Sequence, residues 1–388
     1  MALGNDVQLI HDLPDIGVIA ITGGGTGAID ELLRRGGGSN TLIKAIVPYS
    51  LDALKEFLGF IPEKAASQEA SRAMALQSYL HALRLSPGKN RFGLGVSASL
   101  AKHGPERAGR KHHLHIAFHN GFRNSVISYE FEEATGCEPP GKARAKQEER
   151  ATELIMMFLA SNLQINPDLW HEPEARWPKM AGCSSAAMDL EGLYTTRNAM
   201  YVPTRLWDCK GVPELIFPGS FNPVHEGHIQ ASLVAEKMTG KKCCFEMAIT
   251  NVDKPPMDYI GIEERLTGFH AAENNGFEPF NVVLTNTPRF LEKAHVFPNA
   301  TFCIGVDTWE RILNPKYNNV EEVLSTFLAM GTKFIIFGRY GENGIFKTAN
   351  DVPRPNHFFC SQTDRITAVP EETYKMDISS SAIRKGKS

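Results

Sequence analysis

Along the first part of the chain, apolar residues occur in short runs punctuated by glycine. Residues 17–22 (GVIAIT) form one such run, of strand length, and predict a buried strand. A glycine cluster follows at 23–27, and AIDELLRR then places Ile29, Leu32 and Leu33 at helical spacing until glycines 36–38 stop the helix. Another helix is expected around 66–83. Beyond it lie FGLGVSASL, HLHIAFH and NSVISYEF; in the last, Val126, Ser128 and Glu130 interleave with Ile127, Tyr129 and Phe131 as in a strand. Strands alternating with glycine turns and helices predict an α/β domain over residues 1–165.

The proline- and charge-rich GCEPPGKARAKQEER breaks this pattern and leads into a helix through ATELIMMFLA. Residues 166–212 have no clear period but hold Trp170, Trp177 and Trp207. They predict a connector packed on a domain surface, because a free linker needs no tryptophans. A second α/β pattern fills 213–388. Its strand ELIF precedes a helix with Ile229, Leu233 and Val234 on one face, and FEMAIT, TFCIG and KFIIF are further strands. The expected fold class is therefore two α/β domains, the second Rossmann-like with a parallel sheet.

Composition narrows the partners. A formal net charge of −3 supplies no global basic field, so nucleic acid is not expected. No apolar run approaches membrane-spanning length, and the N-terminus lacks the apolar core of a secretory signal. Seven cysteines without CxxC spacing disfavour a zinc ribbon or a disulfide framework and fit a reducing, cytoplasmic setting. Oligomeric state, including a homo-oligomer, is left open.

The candidate chemistry is concentrated in the second domain. GSFNPVHEGH (219–228) lies on a strand-to-helix turn, where backbone N–H groups and a helix start favour phosphates. Gly219, Ser220, Phe221 and Asn222 line the turn, and His225 and His228 stand three apart at the helix entrance, able to donate to phosphate oxygens. Near the end, ISSSAIR (378–384) sets Ser379 and Ser380 before Arg384, whose fork matches phosphate. Between the two, Asp307 ends a strand where it can accept ribose hydroxyls, Lys254 lies on a loop, and Arg339 ends another strand.

GxFxPxHxGH with a distal ISSxxIR resembles the HxGH nucleotidylyltransferase superfamily, and the order of motifs looks most like the nicotinamide and nicotinate mononucleotide adenylyltransferases. The resemblance implies that an acceptor mononucleotide phosphate attacks the α-phosphorus of ATP with release of pyrophosphate. It assigns His225, His228 and Arg384 to catalysis, and Gly219, Ser220, Phe221, Asn222, Asp307, Ser379 and Ser380 to ATP. Lys254 and Arg339 fall to the acceptor. Mg²⁺ would bind through the nucleotide phosphates, with no protein metal site. A cytidylyltransferase using CTP, a pantetheine-phosphate enzyme and a nucleotide-sensing scaffold are the alternatives. NVDKPP departs from the usual loop after the second strand, which leaves the acceptor open.

Three readings compete for the first glycine cluster. A Walker A loop is excluded because no Gly-Lys-Ser/Thr follows. Gly23, Gly25 and Ala28 satisfy GxGxxA, with Asp52 further on but not after a clear second strand. The third reading is a resemblance to the CinA C-terminal, nicotinamide-nucleotide amidase family, carried by IAITGGGTGAIDELLRRGGGSN, VPYSLDALKEFLG and GLGVSASLAKHGPERAGRKHHLHIAF. It implies a candidate site at Thr22, Gly23, Gly24 and Gly25. Thr22 replaces that family's serine and Leu54 its lysine, with Lys55 one place on, so the resemblance implies a degenerate amidase. His112, His113, His115 and His119 are read as alternating faces of a strand, not as a metal site.

Overall fold

The computed structural model describes residues 3–88, 90–102, 110–131, 141–165, 178–196, 198–203, 211–250, 256–341, 344–375 and 380–386. The chain forms two compact units: Met1–Glu191 with Asp253–Gly261, and Gly192–Val252 with Ile262–Ser388.

In the first unit, helix α1 (Leu3–His11) precedes strand β1 (Ile16–Thr22), α2 (Gly27–Arg34), β2 (Leu42–Ile46), α3 (Leu51–Leu58) and α4 (Gln68–Leu85). Then come β3 (Arg91–Ser99), β4 (His112–Asn120), β5 (Arg123–Phe131), α5 (Lys142–Asn162) and β6 (Lys179–Ala187). The six-stranded sheet runs β2-β1-β3-β4-β5-β6. β1 pairs parallel with β2 and β3, whereas β3 through β6 pair antiparallel. One face packs on α5 through Leu94, Val96, Ile116, Phe118, Leu154, Ile155 and Leu159.

The other face carries α4 at backbone distance. A Cβ at Gly93 would lie 2.1 Å from the Ala75 carbonyl oxygen, and one at Gly95 2.2 Å from that of Ser71. The glycines alternating through FGLGVSAS therefore face the backbone of α4 at Ser71, Ala75 and Ser78, with the larger buried residues Met74, Leu76 and Tyr79 packed around this contact.

A short helix α6 (Glu191–Thr195) and strand β7 (Met200–Tyr201) follow. The connector expected at 166–212 thus contributes strands to both sheets in its described residues; its tryptophans lie outside them. The second unit continues with β8 (Leu215–Pro218), α7 (Glu226–Thr239), β9 (Cys243–Ala248), α8 (Tyr259–Asn274), β10 (Asn281–Thr285) and α9 (Phe290–Val296). Next are β11 (Thr301–Gly305), α10 (Val306–Ile312), α11 (Val320–Ala329), β12 (Lys333–Phe337), β13 (Arg339–Tyr340), β14 (Phe346–Lys347), α12 (Phe358–Ser361), β15 (Ile366–Val369) and α13 (Ser380–Lys385).

Its seven-stranded sheet runs β15-β12-β11-β8-β9-β10-β7 and is parallel except for β7. Buried aromatic residues (Phe297, Phe302, Trp309, Phe327, Phe334, Phe359) fill one face, and α7 covers the other through Ala231 and Ala235. Successive strands β8, β9 and β10 step one way across the sheet, while β11, β12 and β15 step the other. The strand order therefore reverses between β8 and β11, the position where open parallel sheets bind ligands beyond their carboxyl ends. Among the described residues no helix is long and apolar enough to cross a membrane.

Gly95→Val tests the α4 contact. The two backbones must part, so the variant should lose about 2–3 kcal/mol, read as a lower urea midpoint. An unchanged midpoint would contradict the packing.

Candidate functional site

Residues 219–225 join β8 to α7, and their shape is dictated by one buried ring. Phe221 is 1% exposed and packs on Phe217, Phe245, Phe269 and His228. Its φ of 43° lies in the left-handed region, a conformation costing a bulky residue on the order of 1–3 kcal/mol unless its surroundings hold it. Gly219 is required beside it, since a Cβ there would lie 2.5 Å from the Phe221 ring. The sequence expectation that Phe221 contacts ATP is corrected to this extent: its side chain is core, and only its backbone borders the turn.

The loop is held largely through its carbonyl oxygens. Arg265 Nε donates to Ser220 O at 3.0 Å, Ser380 Oγ to Pro223 O at 3.0 Å, and Tyr374 OH to Gly227 O at 2.8 Å. Arg384 Nη1 donates to Asn222 O, and Gly219 N donates to Glu246 O at 2.9 Å. Because C=O and the next N–H point oppositely across a trans peptide, the N–H groups of Phe221 and Val224 face away from Arg265 and Ser380. The two motifs are thus brought together, but Ser380 and Arg384 contact the loop backbone here. Ser379 and Lys254 lie outside the described residues.

The imidazoles of His225 and His228 stack with centroids 3.7 Å apart and planes 23° from parallel. His225 N donates to His228 Nδ1 at 3.3 Å, so Nδ1 is the acceptor and the neutral ring carries its proton on Nε2. Burial, reinforced by His225, pushes His228 down to about 3. Burial also lowers His225. At neutral pH the pair offers polarised N–H donors and not cations.

Across the strand reversal, Gly305 ends β11 and Asp307 lies in the first turn of α10 (Val306–Ile312), which corrects its expected place at a strand end: the chain turns into a helix directly after Gly305. Asp307 and Arg339, expected to serve different substrates, form an exposed ion pair at 2.5 Å. The sequence reading missed Tyr374, Arg265 and Glu246. Only Glu246 left a signal, a carboxylate inside the apolar run CCFEMAI. It is fully buried and paired to Lys293 Nζ at 2.6 and 2.7 Å, with Thr285 Oγ1 donating as well.

In the N-terminal unit the glycine turn satisfies itself. Gly25 N and Thr26 N donate to Glu148 Oε1 at 2.7 and 2.9 Å, and Arg144 Nη2 donates to Gly23 O at 2.9 Å. Gly23 and Gly25 take positive φ, and a Cβ at Gly24 would lie 2.4 Å from Leu100. Thr22 is buried, and its hydroxyl donates to Pro48 O at 3.0 Å, an oxygen that cannot act as a base. Leu54 is core and Lys55 is exposed.

His113 and His115 share one face, with rings 5.8 Å apart; this corrects the alternation expected of them, because residues two apart on a strand point the same way. His115 Nδ1 lies 2.7 Å from Ser128 Oγ, and burial pushes it down to about 4. Among the described residues no three His, Cys, Asp or Glu side chains are grouped to hold a metal.

Comparisons with known proteins match parts of the chain. Residues 216–386 match the cytidylyltransferase-like family. This region is a nucleotidyltransferase-like domain of the HxGH superfamily. No curated protein matches the chain. Solved structures similar to the N-terminal part belong to the CinA superfamily. The competence/damage inducible protein CihA from Agrobacterium tumefaciens is 18% identical over 41% of this chain and 92% of its own, at a TM-score of 0.31. The CinA superfamily protein from Escherichia coli is 16% identical over 42% and 87%, at 0.28. The competence damage-inducible protein A from Klebsiella pneumoniae is 16% identical over 40% and 94%, at 0.29.

The desolvation of the half-buried His228 predicts a pH signature. Its folded value of about 3 lies below the ordinary 6.5, so the folded protein binds fewer protons than the unfolded chain between those values. The associated stability is full above about pH 6.5 and is lost as pH falls toward 3. Wild type should therefore lose more stability between pH 7 and 5 than His228→Asn, compared by urea midpoints. Equal losses would contradict it.

Proposed function

We propose that the C-terminal domain transfers an adenylyl group from ATP to the phosphate of nicotinamide or nicotinate mononucleotide. The observation supporting this most directly is that Ser380 and Arg384 of the distal motif bond the loop that ends at His225 and leads into the helix bearing His228, beside the strand-order reversal. An acceptor phosphate oxygen forms the new bond to the α-phosphorus, the bond to the bridging oxygen breaks, and pyrophosphate leaves. The nucleophile is already anionic, so no general base is needed. His225 and His228 then act as donors to charge building on the α- and bridging oxygens. Gly219, Ser220 and Asn222 border the triphosphate, Asp307 the ribose, and Arg339 with Lys254 the acceptor.

Imidazoles, hydroxyls and a guanidinium suit phosphate oxygens and not a cation, so Mg²⁺ is proposed to bind through the nucleotide and offset its charge. The cytidylyltransferase-like match favours, as second reading, CTP with another acceptor. The N-terminal domain is proposed to be a degenerate amidase that binds or scaffolds, since the Thr22 hydroxyl donates to the Pro48 carbonyl, which cannot act as a base. A cytoplasmic site of action goes with this reading.

The test is a screen of ATP and CTP against pyridine mononucleotides and phosphopantetheine, following pyrophosphate. Release with ATP and a pyridine mononucleotide is expected, reduced about a hundredfold or more in His228→Ala. Release only with CTP, or equal turnover in a folded His228→Ala protein, would overturn the assignment. In the same preparation, ammonia release from nicotinamide mononucleotide should be absent; release abolished by Thr22→Ala would restore the amidase.

A further inference from the structure

The donors that hold the histidine loop differ in what they bond. Tyr374 reaches the helix itself, at Gly227, between the two histidines. A carbonyl in the first turn of a helix already accepts from the N–H four residues on. The hydroxyl therefore adds a second donor to an oxygen that needs none for satisfaction, and fixes where that peptide points. A Cβ on Gly227 would lie 3.1 Å from His225 Nδ1 and 3.5 Å from the Tyr374 oxygen, so imidazole, glycine and hydroxyl border one small space. His225 Nδ1 is buried there, turned toward the backbone N–H of His228 in a capping box but without a hydrogen bond of good geometry. The register of the ring on His228 therefore depends on the packing of this space.

The tyrosine is itself well held. Its ring meets Phe337 at 5.0 Å and 70°, and its backbone N–H donates to Pro370 O at 3.2 Å. Burial pushes its phenol up to about 12, so it stays a donor across the working range of pH.

We propose that Tyr374 is a positioning residue: its hydroxyl fixes the Gly227 peptide and thereby the stacked register of His225 and His228. Its catalytic consequence rests on the nucleotidyl-transfer reading, but its structural consequence does not. Stacked imidazoles 3.7 Å apart place the protons of each ring over the other, so their register is visible as ring-current shifts.

The experiment compares full-length wild type, Tyr374→Phe and Tyr340→Phe. Tyr340 is a control in the same unit: its hydroxyl donates to Glu371 and its ring packs on Phe346. Tyr374→Phe should shift the imidazole proton resonances of both His225 and His228 and lower kcat roughly 10- to 100-fold, with KM for ATP changed less than about twofold. Tyr340→Phe should lose similar stability but leave resonances and kcat at wild-type values. Unchanged resonances in folded Tyr374→Phe, or equal shifts in Tyr340→Phe, would overturn the proposal. If wild type releases no pyrophosphate with any pair, the transfer reading fails and the resonances still decide the role of Tyr374.

Discussion

The C-terminal site depends on a constraint placed on one loop from behind. Residues 219–225 join a strand to a helix, and donors from distant parts of the sequence take their carbonyls: Arg265 from α8, Ser380 and Arg384 from α13. Tyr374 extends the same hold to the first turn of α7. Beneath them Phe221 fills the space between β8, β9 and α8, which keeps a strained backbone in place. A loop ordered in this way before a ligand arrives has less conformational entropy left to lose on binding.

The histidine pair follows from that constraint. Two imidazoles stacked this closely repel if both are charged, and burial disfavours charge further, so the pair is neutral. Neutral N–H donors suit a site in which negative charge moves from one oxygen to another, because they stabilise it without trapping the substrate in one ion pair. Among the charged groups nearby, Arg384 and Arg265 each donate to loop backbone and Arg339 pairs with Asp307.

The N-terminal unit has a turn of the same general kind with the opposite arrangement. There the backbone N–H groups are taken by Glu148, so the place where a helix start would receive an anion holds a carboxylate of the chain itself. Thr22 spends its proton on a carbonyl, and the position expected to supply a lysine lies in the core. The glycines of this turn also serve packing. Gly24 and Gly25 illustrate this, since added side chains would meet Leu100 and Ile155.

The sequence by itself determined the two α/β parts, the strand before each glycine turn, and the histidine, serine and arginine motifs. These signals are local: apolar runs, glycine clusters and fixed spacings reflect the geometry of one element and its turn. Tertiary structure alone decided that β6 joins the first sheet, whose polar pattern KMAGCSSAA carries little periodic signal. It also decided that Phe221 is core, that Asp307 meets Arg339, and that Tyr374 and Arg265 reach the histidine loop. Such partners are separated by tens to more than a hundred residues, and nothing in a tyrosine's own neighbourhood records which carbonyl the folded chain will bring to it. Chemistry was legible where it is carried by neighbours in sequence; its positioning was not, because the sheet order and helix packing that create it are long-range.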